Sequence, residues 1–171
     1  RPRADCRDVL LLRRDASWKT SAQPLPILSS SARRRRNLDE FLSWALPAAA
    51  PRTLFLPVRG DIETRLAKLA RGDGDALVIA KAALDRLLGA VDPAFATASA
   101  HVRTVLAACH VIVLPLSVSP AAPGQGALAV EIARGRSELA ALLDPVNDPD
   151  TFRRVTRERV HVALVDVSQH R

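Results

Sequence analysis

Leu54-Phe-Leu-Pro-Val-Arg-Gly-Asp-Ile-Glu-Thr-Arg-Leu-Ala-Lys-Leu69 contains a short apolar run, a glycine turn and a helix-spaced segment in one stretch. The run Leu54–Val58 predicts a buried strand. From Asp61 to Arg71, Ile62, Leu66 and Leu69 fall on one helical face. A buried strand feeding a helix through a tight turn is half of a β-α unit. The same plan occurs upstream, where Leu25–Leu28 leads into Ser29-Ser-Ser-Ala-Arg-Arg-Arg-Arg36 and a helical spacing through Leu38, Phe41, Leu42 and Ala45. Further strands are expected at Val9–Leu12, Ala76–Ala80 and Val111–Leu116. Further helices are expected at 82–91 and 98–108. The alternation implies an α/β layer with a parallel or mixed sheet flanked by helices.

Val118-Ser-Pro-Ala-Ala-Pro123 changes the composition and reads as a hinge or crossover. A strand at Ala127–Ile132 and a helix at Ser137–Leu143 are expected after it. Asp148-Pro-Asp150 then opens a last helix to about Val162, with Asp148 as cap and Pro149 in the first turn. The stretches 15–26 and 47–53 read as irregular loops, the Ala-Pro string in the second as a surface insertion.

The chain has 171 residues, enough for a real core. No apolar run approaches the length of a membrane span. It starts at Arg1 and has no methionine, so it reads as a piece of a longer protein. Net charge is +7, and arginine supplies 22 of the 25 basic residues. Guanidinium binds carboxylate and phosphate in a planar, two-pronged way. Arginine-biased codon usage explains the overall count as well, so only arginines at special positions carry weight. Cys6 and Cys109 show neither metal-ligand spacing nor a disulfide framework. The histidines at 101, 110, 161 and 170 form no ligand pattern, and no metal site is expected. An intracellular, reducing compartment, cytoplasmic or organellar, is the expected setting.

Two corners carry the candidate chemistry. Behind the strand at 25–28, serines cap a helix whose first turn holds Arg33 to Arg36. Cations there oppose the helix dipole unless an anion sits among them. A solvated basic run, a localisation signal or a nucleic-acid patch is the competing reading. Behind the strand at 54–58, Gly60 lets backbone approach a ligand, with Arg59 and Arg65 alongside. Here the plainer reading has Asp61 capping the helix, Arg65 pairing with it and Lys68 solvated. Both corners are expected at the carboxyl ends of neighbouring strands, where open α/β sheets bind ligands. Pro123-Gly-Gln-Gly-Ala127 is a tight turn whose glutamine amide can bond a ligand or a facing loop.

Five ordered segments resemble the porphobilinogen deaminase (hydroxymethylbilane synthase) family, from about Arg3 to Arg159. Arg3-Ala-Asp-Cys-Arg-Asp8 is similar to the lead-in to that family's second domain. Ser29-Ser-Ser-Ala-Arg-Arg34 resembles its Thr-Ser-Ser-Leu-Arg-Arg. Arg59-Gly-Asp-Ile-Glu-Thr-Arg-Leu66 resembles Arg-Gly-Asn-x-x-Thr-Arg-Leu, and Ala80-Lys-Ala-Ala-Leu-Asp-Arg-Leu87 resembles Ala-x-Ala-Gly-Leu-x-Arg-Leu. Pro123-Gly-Gln-Gly-Ala-Leu-Ala-Val-Glu131 is close to identical.

The resemblance implies a transferase of tetrapyrrole (heme) biosynthesis that joins four porphobilinogen units with loss of ammonia. It implies that Ser29, Ser31, Arg33, Arg34, Arg59 and Arg65 bind carboxylate arms of a dipyrromethane cofactor and the growing chain. Gly60 belongs to the same site, and Gln125 and Gly126 line the cleft near the hinge. It implies a periplasmic-binding-protein type II-like domain at 1–119, a hinge and return strand-helix of a missing first domain at 120–146, and the start of a third domain at 147–171. The partners are porphobilinogen and polypyrrole carboxylates, without a membrane, and the full-length family member is a monomer.

The departures bear on activity. No segment corresponds to the family's catalytic aspartate, so no catalytic residue is assigned. Glu158-Arg159 runs on into Val160–Ser168 rather than into the Gly-Gly-Cys loop that tethers the cofactor. Asp61 stands for an asparagine and Ala83 for a glycine. The chain alone is therefore expected to be inactive. Two other classes stay open. One is a non-catalytic anion-binding module of periplasmic-binding-protein type. The other is a basic nucleic-acid-binding domain, which the scarcity of aromatics disfavours.

Overall fold

The computed structural model describes residues 2–16, 23–45 and 52–169, apart from the side chains of Trp44 and 162–169. Parts of both expected loops, the Ala-Pro insertion and His170 lie outside the described residues. The chain divides into two compact units, one formed by 7–121 and the other by 1–6 with 122–171.

The larger unit is a five-stranded sheet with helices on both faces. In chain order it runs β1 (Asp8–Arg13), β2 (Leu25–Leu28), α1 (Ala32–Ala45), β3 (Thr53–Leu56), α2 (Ile62–Arg71), β4 (Ala76–Ala80), α3 (Lys81–Leu88), a 3-10 turn, α4 (Ala96–Ala107) and β5 (Cys109–Val113). The spatial order is β3-β2-β4-β1-β5. β2 runs parallel to β3 and β4, with Leu28 opposite both Leu56 and Leu77. β1 runs antiparallel to β4 and β5, with Leu11 opposite Leu77 and Val111. The sheet is thus mixed.

Alternation along β1 explains why both faces are dry. Val9 and Leu11 join Leu66 and Leu69 of α2, Leu84 of α3 and Val102 and Val105 of α4. Leu10 and Leu12 join Leu38 and Leu42 of α1 on the other face. Full burial of each such side chain contributes about 1.5–3 kcal/mol. A strand covered on both faces needs an unbroken apolar run, as the sequence has.

Local chemistry sets the ends. β3 stops at Leu56, two residues short of the expected Val58, because Pro57 has no N–H for the ladder. β5 starts at Cys109 and stops at Val113, ahead of Pro115. Asp61 caps α2 through Oδ1, which accepts the Thr64 N–H at 2.8 Å. Gly72 closes α2 at φ 89°, donating to Leu69 O. α3 begins immediately at Lys81 and ends before Gly89.

The smaller unit contains α5 (Ser137–Leu143), a 3-10 turn and α6 (Pro149–Gln169). Asp148 caps α6, accepting from Thr151 N–H at 2.7 Å, and Pro149 opens its first turn. The helix continues past the expected Val162. The expected strand at Ala127–Ile132 is not formed. Leu128 is 85% and Val130 67% exposed, and among the described residues no strand pairs with the segment. Strand conformation needs a neighbour's ladder, whatever the local apolar pattern.

Candidate functional site

Two strand-to-helix corners lie side by side at the carboxyl ends of β2 and β3. The β2–β3 ladder runs to Leu28 and Leu56, and Ser29 N–H extends it by donating to Leu56 O at 2.9 Å. Beyond that point Ser30 takes over. Its Oγ donates to Val58 O at 2.8 Å and accepts the Val58 N–H at 2.9 Å. One hydroxyl therefore joins the two corners.

At the first corner Ser31 Oγ accepts the Arg34 N–H at 3.3 Å, capping α1. Ser29 is buried and its Oγ accepts the Ser31 N–H at 3.4 Å. Arg33 and Arg34 both turn to Asp8, at the start of β1. Arg33 Nη2 donates to Oδ2 at 2.9 Å and Arg34 Nη2 to Oδ1 at 2.8 Å. Arg33 also donates to the Pro120 carbonyl. Asp8 has no solvent exposure. Two guanidiniums thus share one carboxylate. Arg34 Nε is buried without a hydrogen-bond partner.

Arg35 and Arg36 point elsewhere. With Ala32, Asp39 and residues 53–55 they line an open hollow of about 470 Å³ between α1 and β3. The tetrad is therefore two pairs, Arg33 and Arg34 facing Asp8 and Arg35 and Arg36 lining the hollow.

At the second corner Gly60 adopts φ +112°, and a Cβ there would lie 2.6 Å from Thr64 Cγ2. Only glycine takes that shape without strain. Arg59 is exposed, and its side chain has no hydrogen bond or ion pair among the described residues. Arg65 bonds the turn rather than pairing with Asp61: its Nε donates to Gly60 O at 2.8 Å. Lys68 Nζ donates to Arg59 O at 3.2 Å, which corrects the expectation that it is only solvated. The Asp61 carboxyl is held below its ordinary value, first by the Thr64 backbone N–H, then by the Thr64 side chain, with a smaller contribution from Arg65.

Gln125 and Gly126 belong to the smaller unit. Gln125 Nε2 donates to Cys6 O at 2.6 Å. Gly126 O accepts from Ala4 N–H at 3.0 Å. At φ +85°, a Cβ on Gly126 would meet Ala4 O at 2.6 Å. Arg3 Nε donates to Gln125 O at 2.9 Å, and its Nη atoms grip Glu158, with Nη2 at 3.1 Å from Oε2. Glu158 also accepts the Gly124 N–H at 2.9 Å. Arg3 first, then Gly124, hold the Glu158 carboxyl below its ordinary range.

Sequence reading missed Asp8, Ser30 and the Arg3–Glu158 pair. Asp8 left a faint signal, an acid directly before an apolar run. The partners of Arg3 and Ser30 are 155 and 28 residues away, and no local pattern points to them.

Among the described residues there is no cluster that could hold a metal ion, and no helix is long and apolar enough to cross a membrane. A family model described as the dipyromethane cofactor binding domain of porphobilinogen deaminase matches residues 1–141. Porphobilinogen deaminase of Burkholderia ambifaria is 36% identical over 158 residues, covering 92% of this chain and 40% of that protein. The Mycobacterium leprae protein of that name is 35% identical over 165 residues, 96% of this chain and 44% of its own length. That of Bordetella parapertussis is 34% identical over 157 residues, 92% and 42%. The chain thus spans about two-fifths of the length of the curated relatives it matches. With a family model matching most of its length and relatives of that name at 34–36% identity over more than nine-tenths of it, the chain belongs to the porphobilinogen deaminase family.

Proposed function

We propose that this chain supplies the carboxylate-receiving part of a hydroxymethylbilane synthase cleft, the enzyme that polymerises porphobilinogen with release of ammonia. The observation that carries the reading is Arg59. It is an exposed guanidinium without a hydrogen bond or ion pair among the described residues, on a glycine turn that Ser30 joins to a second arginine-bearing corner. An exposed arginine on an ordered turn is ready to take a carboxylate in a charge-assisted bond.

The residues present fit the carboxylates of a dipyrromethane better than its tether. Arg59, Arg65, Arg33 and Arg34, with Ser29, Ser31 and Gly60, would hold the acid arms. Gln125 and Gly126, in the smaller unit, are proposed as cofactor-binding residues from the resemblance alone. Cys109 does not suit a thioether, since burial on β5 pushes its thiol up and shuts out a reactant. When bound, the cofactor supplies the pyrrole end to which further units are added. The residues here orient acid arms, a positioning contribution. We assign none of them a proton-transfer role, and we propose that the chain alone does not form hydroxymethylbilane.

The same reading takes 1–119 as a second-domain unit of periplasmic-binding-protein type II likeness, 120–146 as hinge and return segment, and 147–171 as the beginning of a third domain. In its support, the corners lie beyond the carboxyl ends of paired parallel strands.

Calorimetry with porphobilinogen and a dipyrromethane tetracarboxylate tests the reading. Binding of the tetracarboxylate is expected, with phosphate a poor competitor. Binding of phosphate alone would instead favour a small-anion module. Measurable hydroxymethylbilane from the purified chain would overturn its assignment as a binding part only.

A further inference from the structure

The turn between β3 and α2 contains an arrangement that carboxylate binding does not by itself require. Three successive carbonyls each accept a hydrogen bond from a different side chain. Ser30 Oγ bonds Val58 O at 2.8 Å, Lys68 Nζ bonds Arg59 O at 3.2 Å, and Arg65 Nε bonds Gly60 O at 2.8 Å. Ser30 comes from the neighbouring corner. Arg65 and Lys68 come from α2, three residues apart and so on one side of the helix. Ser30 Oγ also accepts the Val58 N–H, so both polar groups of that buried residue are satisfied by one hydroxyl.

A backbone carbonyl is the negative end of a peptide dipole. Three of them loose around an anion site would repel the ligand and let the turn rearrange. Bonded to a hydroxyl, an ammonium and a guanidinium, they are neutralised and fixed in direction. Arg59 lies within this stretch, so its backbone is held on both sides and at its own carbonyl.

We propose that Ser30 and Lys68 are positioning residues. Together with Arg65 Nε they clamp the carbonyls of Val58 to Gly60 and set where Arg59 stands relative to the corner of Arg33 and Arg34. The spacing at which two carboxylates are accepted follows from that clamp. The ligand in this inference rests on the carboxylate-receptor reading; the clamp does not. Side chains that orient a ligand-binding group from behind typically decide how precisely it is placed.

The test uses the whole chain in five forms: unaltered, Ser30→Ala, Ser30→Thr, Lys68→Met and Lys68→Arg. Amide hydrogen exchange is read in peptides covering 57–65, and calorimetry uses 1,2,4,5-benzenetetracarboxylate as the probe. Ser30→Ala and Lys68→Met are expected to speed exchange in those peptides and to weaken the probe by about fivefold. The threonine and arginine forms are expected to recover most of both. Ser30→Ala changes no charge, so its loss of affinity cannot come from electrostatics alone. Unchanged exchange in both Ser30→Ala and Lys68→Met overturns the clamp. Faster exchange with undiminished affinity overturns the positioning role. If the unaltered chain fails to bind the probe, the carboxylate-receptor reading falls. The clamp is then judged on exchange alone, faster exchange upholding it and unchanged exchange ending it.

Discussion

The corner after β2 and the corner after β3 share a plan and differ in electrostatic state. Each follows a parallel strand, turns through small residues and opens a helix with arginines at or near its start. At the first, Arg33 and Arg34 close on the buried carboxylate of Asp8. At the second, Arg59 has no counter-charge among the described residues, and the acid nearby, Asp61, is spent on capping α2. The first corner is an ion-paired joint; the second is an exposed guanidinium on a braced turn. Similar local sequence yields an anchor in one place and a receptor in the other, according to what the fold brings alongside.

The largest expected effect breaks the first corner. Asp8→Ala leaves two mostly buried guanidiniums without their carboxylate and is expected to cost about 3 kcal/mol in urea unfolding. A change under about 1 kcal/mol would mean that the pair is not a structural joint. Next comes the second turn. Gly60→Ala puts a Cβ into Thr64 at positive φ and is expected to destabilise by about 2 kcal/mol; an unaltered melting temperature would contradict the turn geometry.

A pair of variants then sharpens the contrast. Arg59→Ala is expected to weaken a polycarboxylate pyrrole by about 1–2 kcal/mol with the melting temperature unchanged. Arg33→Ala is expected to lower both affinity and stability, because it also strips Asp8 of a partner. Equal stability of the two variants would erase the distinction between anchor and receptor.

The smallest effect is at the α2 cap, where Asp61→Ala is expected to lower stability slightly by freeing the Thr64 N–H. Because the folded state holds this carboxyl below its ordinary value of 3.8, its contribution is full above that value. It fades as pH falls through the lower folded value. A wild-type minus Asp61→Ala stability difference that grows on acidification would contradict the cap.

Much of the architecture was legible because burial on both faces writes itself as uninterrupted apolar runs. β2 and β4 lie where their runs are, and α5 matches its helical spacing residue for residue. The miss at Ala127–Ile132 has the converse cause. Its apolar alternation describes a strand, but alternation supplies no partner, and among the described residues the ladder is absent. At the site, Gly60 was legible through its turn and Ser31 through its capping position. Lys68 was misread because a lysine on a helix usually reaches water; here a carbonyl one helical turn before the helix lies within reach.

The sequence by itself determined the alternating strands and helices, the glycine turns, the caps and the surplus of guanidinium over carboxylate, since these depend on steric preference and spacing between near neighbours. Only the tertiary structure decided which arginines are answered and which stand open. That choice rests on Asp8 and Ser30, whose partners lie 25 to 28 residues away. A hydrogen bond or ion pair reaches only a few ångströms, so it exists only after the sheet has brought distant residues to neighbouring strand ends.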